Sequence, residues 1–576
     1  MPLAGKAIAM RKIWLFDIIT FVSAFLLFQI ELIIAKIFLP NYGGSYLVWG
    51  SCIVFFQGIL LLGYVYSHWA IQKFGIRRYR TIHLVVLLFP LLFFPGRPLV
   101  AGLTNSSFPL SIDIFLKLLV IIGPVFFTLS TISLVMQSYL SRTKLPQKDN
   151  PYALYSVSNV GSFTALLTYP FVFEYFLPLS AQLTIWRVLY FVMIALSMIC
   201  LRLIPVDDLT ETCSSSGADT EKSDISRWLL LGAGGVVMFL AVTNITTIKI
   251  APLPLLWIVP LCIYLMAFVL NFKRKCWCPS WIVSKIHITL GVSMVMFFLI
   301  LQSTFPVVIE VIVLNALLFI LCMYCQNRLI MSKPKNQSNL TSFYVFISLG
   351  SFVGGLITSW VIPLVSTELI EYIIGLIIIA MTLKPSLGDL PTKYYVRLIV
   401  YLIIFLTAWP VVFYKYNLLV LLIMVVIVGA VYSQLARKKC FIALSLVCVL
   451  LSLPYCEMFW KGEMSVYKKR NYYGTLRVTD HRGVRSLYHG TTIHGAQSLD
   501  EEKSSEPMLY YDRRSPIAEV MTTDRFDFHR IGVIGLGVGM AAAYTNEGQT
   551  LDFYELDRDV FTVADELFTF TRNSKS

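Results

Sequence analysis

The residues best equipped for chemistry lie near the C-terminus. Gly535-Leu-Gly537-Val-Gly539 follows a short apolar run, Ile531 to Ile534, and precedes another, Leu551 to Tyr554, that ends in Glu555. A strand, a Gly-rich turn, a helix and a second strand closed by an acid about twenty residues on is the pattern of a nucleotide-type half-fold. Glycine lets the backbone approach a ligand, and a carboxylate at the end of the second strand accepts hydrogen bonds from both ribose hydroxyls. Gly535, Gly537, Gly539 and Glu555 are therefore candidate nucleoside-binding residues. Met540 stands where a dinucleotide fingerprint has its third glycine, which favours a sulfonium nucleoside of the S-adenosylmethionine type over NAD or FAD. A glycine turn that serves only the fold is the alternative.

Upstream, Tyr488-His-Gly-Thr-Thr-Ile-His-Gly-Ala-Gln497 is dense in polar groups. It reads as a tight turn, with Gln497 either bonding a ligand or capping a strand. His489 and His494 are too loosely constrained to hold a metal, and Cys276/Cys278 and Cys322/Cys325 are too isolated for zinc, so no metal is expected. Far from this region, Glu31 and Lys36 stand inside the first apolar run. A charge at the bilayer centre costs at least about 2.5 kcal/mol, so such residues either line a polar pathway or are satisfied structurally. Their spacing makes a direct pair feasible without being ideal. Lys117, Glu174, Arg187 and Glu310 lie nearer the ends of apolar runs, where the structural reading is stronger.

The elements that must carry these residues follow from composition. The 576 residues are 57% hydrophobic and 14% charged, which excludes an ordinary soluble protein at roughly 25% charged. The formal charge of +14 does not point to nucleic acid: residues 1–456 carry 32 Lys and Arg against 15 Asp and Glu, whereas residues 457–576 carry 15 against 18. The basic excess belongs to loops between apolar segments. About fifteen windows of bilayer-spanning length recur, at roughly 13–39, 46–66, 81–95, 112–140, 152–177, 183–204, 228–247, 252–272, 282–301, 306–325, 341–364, 370–383, 395–413, 417–433 and 440–456. The first is too long for a cleavable signal peptide.

Alternate loops hold the basic clusters, among them Lys73/Arg77/Arg78/Arg80, Arg142/Lys144/Lys148 and Lys273/Arg274/Lys275. That alternation predicts a cytoplasmic N-terminus. Fifteen crossings would then place the tail outside, whereas Lys461, Lys468, Lys469 and Arg470 favour it inside, so its side stays open. The expected organisation is N-terminal transmembrane helices (1–204), a hydrophilic linker (205–227), C-terminal transmembrane helices (228–456), a β-rich region (457–530) and an incomplete nucleoside-binding half (531–576). In the tail, Tyr472 to Val478 and Val484 to Tyr488 read as strands around a turn at Asp480 to Gly483, with a helix near Ser515 to Met521. No short repeat is read from the sequence.

Taken together, the tail segments Arg470 to Gly474, Leu487 to Gln497, Pro507 to Tyr511, Val533 to Gly539 and Tyr554-Glu-Leu-Asp557 resemble the spermidine synthase-like domain of bacterial fused membrane (major-facilitator-like)/spermidine synthase proteins. Gly43 to Trp49, Asn150 to Ser162, Thr243 to Pro260 and Leu340 to Tyr344 resemble that family's membrane signatures. The resemblance implies a mainly α polytopic bundle of about 14–15 transmembrane helices in the inner membrane, followed by an incomplete Rossmann-like fold. It implies aminopropyltransferase ancestry, with decarboxylated S-adenosylmethionine or S-adenosylmethionine as cofactor and a polyamine or other small amine as partner. Gly535, Gly537 and Gly539 would pass beside the nucleoside, Glu555 would hold its ribose and Gln497 would line the cleft. Tyr510, Tyr511 and His494 are the weaker candidates for the amine side.

Two departures weaken the enzymatic reading. The proton acceptor expected of such an enzyme follows a later strand, and this sequence stops about twenty residues past Glu555, so catalysis is expected to be incomplete. Cys325-Gln-Asn-Arg-Leu329 also stands where relatives show His and Glu. The competing expectation is a transporter or channel whose C-terminal segment is regulatory or vestigial, with Glu31 as its polar site; a membrane scaffold is a third.

Overall fold

Within a bilayer the backbone has no water to bond, so each apolar run must satisfy its own N–H and C=O groups as a helix. The computed structural model describes residues 3–42, 46–90, 110–145, 147–204, 222–250, 256–301, 305–334, 339–383, 464–471, 473–490, 492–523 and 528–574. The expected spans 395–413, 417–433 and 440–456, and most of the expected linker, fall outside these residues.

Twelve helices of eleven residues or more make up the membrane region among the described residues. They are α1 (Leu3–Tyr42), α2 (Tyr46–Leu88), α3 (Leu110–Ile121), α4 (Gly123–Leu140), α5 (Ala153–Thr168), α6 (Leu179–Leu203), α7 (Lys222–Ile250), α8 (Ile258–Phe272), α9 (Ile286–Leu301), α10 (Val307–Met331), α11 (Leu340–Leu356) and α12 (Glu371–Met381). Among the described residues, six helices are long and apolar enough to cross a membrane, seven if α3 and α4 count as one bent span. The chain is a multi-pass integral membrane protein.

Two expected spans change shape for local reasons. The windows 46–66 and 81–95 are joined in α2, which is interrupted only at Gly75 (φ 69°, ψ 163°). That backbone conformation favours glycine, so one residue makes the break. The window 112–140 is two helices at 74°, with Pro124 in the first turn of α4. Proline is welcome there and poor deeper in a helix.

The membrane helices repeat. α1 packs on α5, α4 and α6; α7 packs on α11, α10 and α12. The part of α2 before Gly75 corresponds to α8, and each packs on the fourth position of its half. Between the halves, α2 meets α11 and α5 meets α8, so each half lends its second and fifth helices to the other's fifth and second. Irregularities repeat as well. α5 runs into a π-helical turn at Tyr169–Phe173 and α11 into one at Ile357–Val361, near Pro170 and Pro363 respectively.

The closest contacts explain the repeat. A Cβ on Gly161 of α5 would lie 2.4 Å from the Phe21 carbonyl oxygen of α1, and one on Gly350 of α11 would lie 2.1 Å from that of Leu229 on α7. In lipid, where apolar burial gives helices little drive to associate, such backbone approach supplies the packing.

The C-terminal region belongs to a second compact unit. Strands β1 (Met464–Arg470), β2 (Thr475–His481), β3 (Val484–His489) and β4 (Thr492–Ser498) form an antiparallel sheet in that order. The β2–β3 turn has Arg482 at φ 49° and Gly483 at φ 78°, the positive-φ pair of a two-residue hairpin. The polar segment expected as a tight turn is mostly β4. A short helix, α13 (Pro516–Thr522), precedes the parallel pair β5 (Arg530–Ile534) and β6 (Thr550–Tyr554), and α14 (Arg558–Leu567) closes the region.

The Rossmann-like expectation is corrected. Between β5 and β6 the chain makes one 3₁₀ turn, Met540–Tyr544, where the half-fold has a helix. A five-residue 3₁₀ turn has no row of aligned amides to face a nucleotide.

Gly161→Ala and Gly350→Ala each push a methyl into a backbone carbonyl, and each is expected to cost about 1–3 kcal/mol. A lowered thermal midpoint of the detergent-purified protein for both variants is the check.

Candidate functional site

The α1–α5 and α7–α11 contacts set a register for everything that faces the centre of the membrane unit. Six residues before Gly161 is Tyr155, and six before Gly350 is Tyr344; both line one cavity, and their rings are 5.0 Å apart. One residue past each glycine, Ser162 and Ser351 line it too. Ten residues on from Phe21 and Leu229 come Glu31 and Phe239, again both in the lining.

The second helices add a further set at one spacing. Trp49, Ile53, Phe56 and Leu60 of α2 are matched 208 residues on by Trp257, Leu261, Tyr264 and Phe268 of or beside α8, and all eight line the cavity. Trp49 and Trp257 approach to 5.6 Å. Trp49 and Tyr64 are fifteen residues apart on α2, which is about 22 Å of helix. The halves therefore touch through aromatic pairs toward both ends of the cavity. Near Tyr155 the closure is reinforced: Ser156 Oγ donates to the Val269 carbonyl at 3.0 Å, and His68 Nδ1 lies 2.6 Å from Thr341 Oγ1.

The cavity measures about 180 Å³. Glu31 is its acidic residue, and no Lys, Arg or His stands among the described lining residues. The feasible Glu31–Lys36 pair is not formed. Lys36 Nζ instead lies 2.8 Å from the Glu174 carboxylate, while Glu31 has no hydrogen bond or ion pair among the described residues. Of the charges nearer the ends of apolar runs, Lys117 pairs with Asp113 at 2.8 Å and Glu310 with Lys249 at 3.3 Å. Asn244 of α7 donates to buried Glu371 of α12 at 2.9 Å.

The tail residues are engaged with one another. Glu555 accepts from the amides of Leu536 (2.9 Å), Leu556 (2.8 Å) and Asp557 (2.9 Å), so its carboxylate closes the Gly-rich loop onto the end of β6. The loop glycines have packing reasons of their own. A Cβ on Gly537 (φ 58°) would lie 2.8 Å from the His494 carbonyl oxygen, and one on Gly539 (φ 80°) 2.6 Å from the Thr571 methyl. Gly535 (φ 89°) has open space around its Cα.

Buried Gln497 donates to the Ser504 carbonyl at 2.8 Å and to Thr569 Oγ1, and accepts from the Thr569 amide at 3.2 Å, pinning the end of β4 to the C-terminal residues. Burial, and then the neighbouring His489 ring 5.8 Å away, hold His494 below the usual histidine range against the pull of Glu555. Tyr510 is exposed; the Tyr511 ring packs 5.0 Å from it, and the Tyr511 carbonyl accepts from the Tyr544 hydroxyl. Asn471 bridges Asp557 and Asp559, fastening the β1–β2 turn to the start of α14.

Of the cavity lining, sequence reasoning singled out Glu31 alone, because neutral residues within apolar runs carry no hydropathy signal. One signal was readable. Asn150, Tyr155 and Gly161-Ser-Phe163 recur as Asn339, Tyr344 and Gly350-Ser-Phe352, at a constant spacing of 189 residues.

No family model and no curated protein matches the chain. Among solved structures it is similar to the nucleoside transporter NupG, at 12% identity and a TM-score of 0.41, covering 64% of this chain and 96% of that one. It is also similar to a bacterial homologue of the human lysosomal transporter Spinster in an inward-facing, occupied conformation, at 12% identity and a TM-score of 0.35, covering 78% and 95%.

The expectation of a spermidine synthase-like enzyme is overturned. The region that was to carry the chemistry is a four-stranded antiparallel sheet plus two parallel strands, with its acid bound to its own backbone.

Glu555→Ala is expected to expose the amides of Leu536, Leu556 and Asp557. Hydrogen exchange on the full chain is the check, with faster exchange at those positions and little change in β2 and β3.

Proposed function

We propose that the protein is a solute transporter working by alternating access, in which the two halves of the membrane region rock about the central cavity. The observation that carries this reading is the repeat itself: the cavity lining is built from matched positions of two helical halves in the same order. Parallel repeats related by an axis along the membrane normal are an established transporter plan, with the substrate site at the repeat interface near the bilayer midplane. Aromatic contacts between the halves at both ends of the cavity support a transporter over a channel, since an open pore needs neither closure.

The cargo is a small organic molecule, as the cavity volume and its aromatic walls favour. Charge distribution supports the orientation. The pairs Lys36–Glu174, Lys117–Asp113 and Lys249–Glu310 all belong to the end where α1 and α7 finish, whereas the clusters at Lys73 to Arg80, Arg142 to Lys148 and Lys273 to Lys275 belong to the other. A cytoplasmic N-terminus in a bacterial inner membrane fits this asymmetry. The C-terminal sheet is then an accessory to transport and not the seat of a reaction.

Proteoliposomes holding the full chain are expected to take up at least one small solute from a deproteinised cell extract that protein-free vesicles do not. Uptake is expected to stop when Trp49→Cys and Trp257→Cys are cross-linked in a background without other reactive thiols, and to return on reduction. Identical solute profiles with and without protein contradict the reading.

A further inference from the structure

The cavity has a repeated frame but unlike walls. At matched positions the first half presents Glu31, Gln57 and Asn159, where the second presents Phe239, Leu265 and Ser348. Apart from Asn159 against Ser348, each exchange is from polar to apolar, and the only charge is on the first-half side. Gln57 lines the same wall, with its Oε1 atom packed against Gly355 of α11.

Glu31 is half-buried in the cavity wall with neither a base nor a donor beside it among the described residues, and a carboxylate so placed costs free energy unless a ligand or a proton compensates it. That demand is for N–H groups and positive charge. The facing wall asks for something else: Phe239 and Leu265, with Tyr264 beside them, reward apolar surface, and an aromatic face also attracts a cation.

On the premise that the cavity is the transport site, we infer that its cargo is an amphiphilic organic cation. Its ammonium group sits against Glu31 and Gln57 of the first half, and its apolar body lies against Phe239 and Leu265 of the second. Anions are excluded, because no basic side chain lines the cavity among the described residues. A neutral molecule of the same shape leaves the carboxylate uncompensated and binds more weakly.

Three probes of one size separate these cases: 2-phenylethylammonium, 2-phenylethanol and 3-phenylpropionate, each titrated by equilibrium dialysis against the full chain in nanodiscs. The ammonium probe is expected to bind saturably and at least tenfold more tightly than the other two. Glu31→Gln is expected to abolish that preference, and Glu31→Asp to retain it. Phe239→Ala is expected to weaken the ammonium probe while leaving the charge preference in place. Elution volume and thermal midpoint establish that the variants are folded.

Equal binding of the neutral probe, an unchanged preference in Glu31→Gln, or no saturable binding of any probe overturns the inference. Flux assays on the same samples separate this from failure of the transport reading. Binding with the expected preference but no flux removes transport and leaves the cation site; flux without charge preference does the reverse.

Discussion

Two backbone contacts hold the rest in place. Where α5 crosses α1, Gly161 faces the Phe21 carbonyl, and where α11 crosses α7, Gly350 faces that of Leu229, at distances no side chain tolerates. Each contact fixes the register of a helix pair, and register decides which residues face inward. Tyr155 and Tyr344 follow from it, as do Glu31 and Phe239. Because the same contact occurs twice, the cavity inherits an approximate twofold lining without needing similar sequence along the helices.

Within that frame the charges are economical. Those near the ends of helices are paired within their own half: Lys36 reaches Glu174, Lys117 reaches Asp113 and Lys249 reaches Glu310. Pairs confined to one half leave the interface between the halves to rings, such as Tyr155 with Phe268 at 5.3 Å, and a few hydrogen bonds. Glu31 differs, an acid placed in the cavity with no ion pair or hydrogen bond among the described residues.

The architecture was legible in part. Length and hydropathy located most of the described helices, because spanning a bilayer imposes that pattern on composition. The Gly75 break and the 74° bend before Pro124 were not legible, since each depends on one or two residues inside an apolar run. In the tail, the β2–β3 hairpin could be read from alternation around Arg482-Gly483. In the Gly-rich loop, Gly537 and Gly539 meet a close carbonyl and a close methyl, and in sequence those needs look the same as room for a nucleoside. Tyr155 with Gly161-Ser-Phe163 and Tyr344 with Gly350-Ser-Phe352 were on view, but a repeat 189 residues apart is hard to notice until the helices that carry it are seen side by side.

The most direct test of the central claim is a pair of distances across the halves, measured by pulsed electron paramagnetic resonance in nanodiscs. One spin-label pair at Arg78 and Lys275 reports the end where α1 begins, and another at Tyr175 and Val308 reports the opposite end; all four residues are exposed. Alternating access predicts two populations for each pair, with the shorter distance at one end accompanying the longer at the other as conditions shift the balance. A single distance at both ends, unchanged by pH or by any cavity ligand, would contradict a rocking two-half transporter.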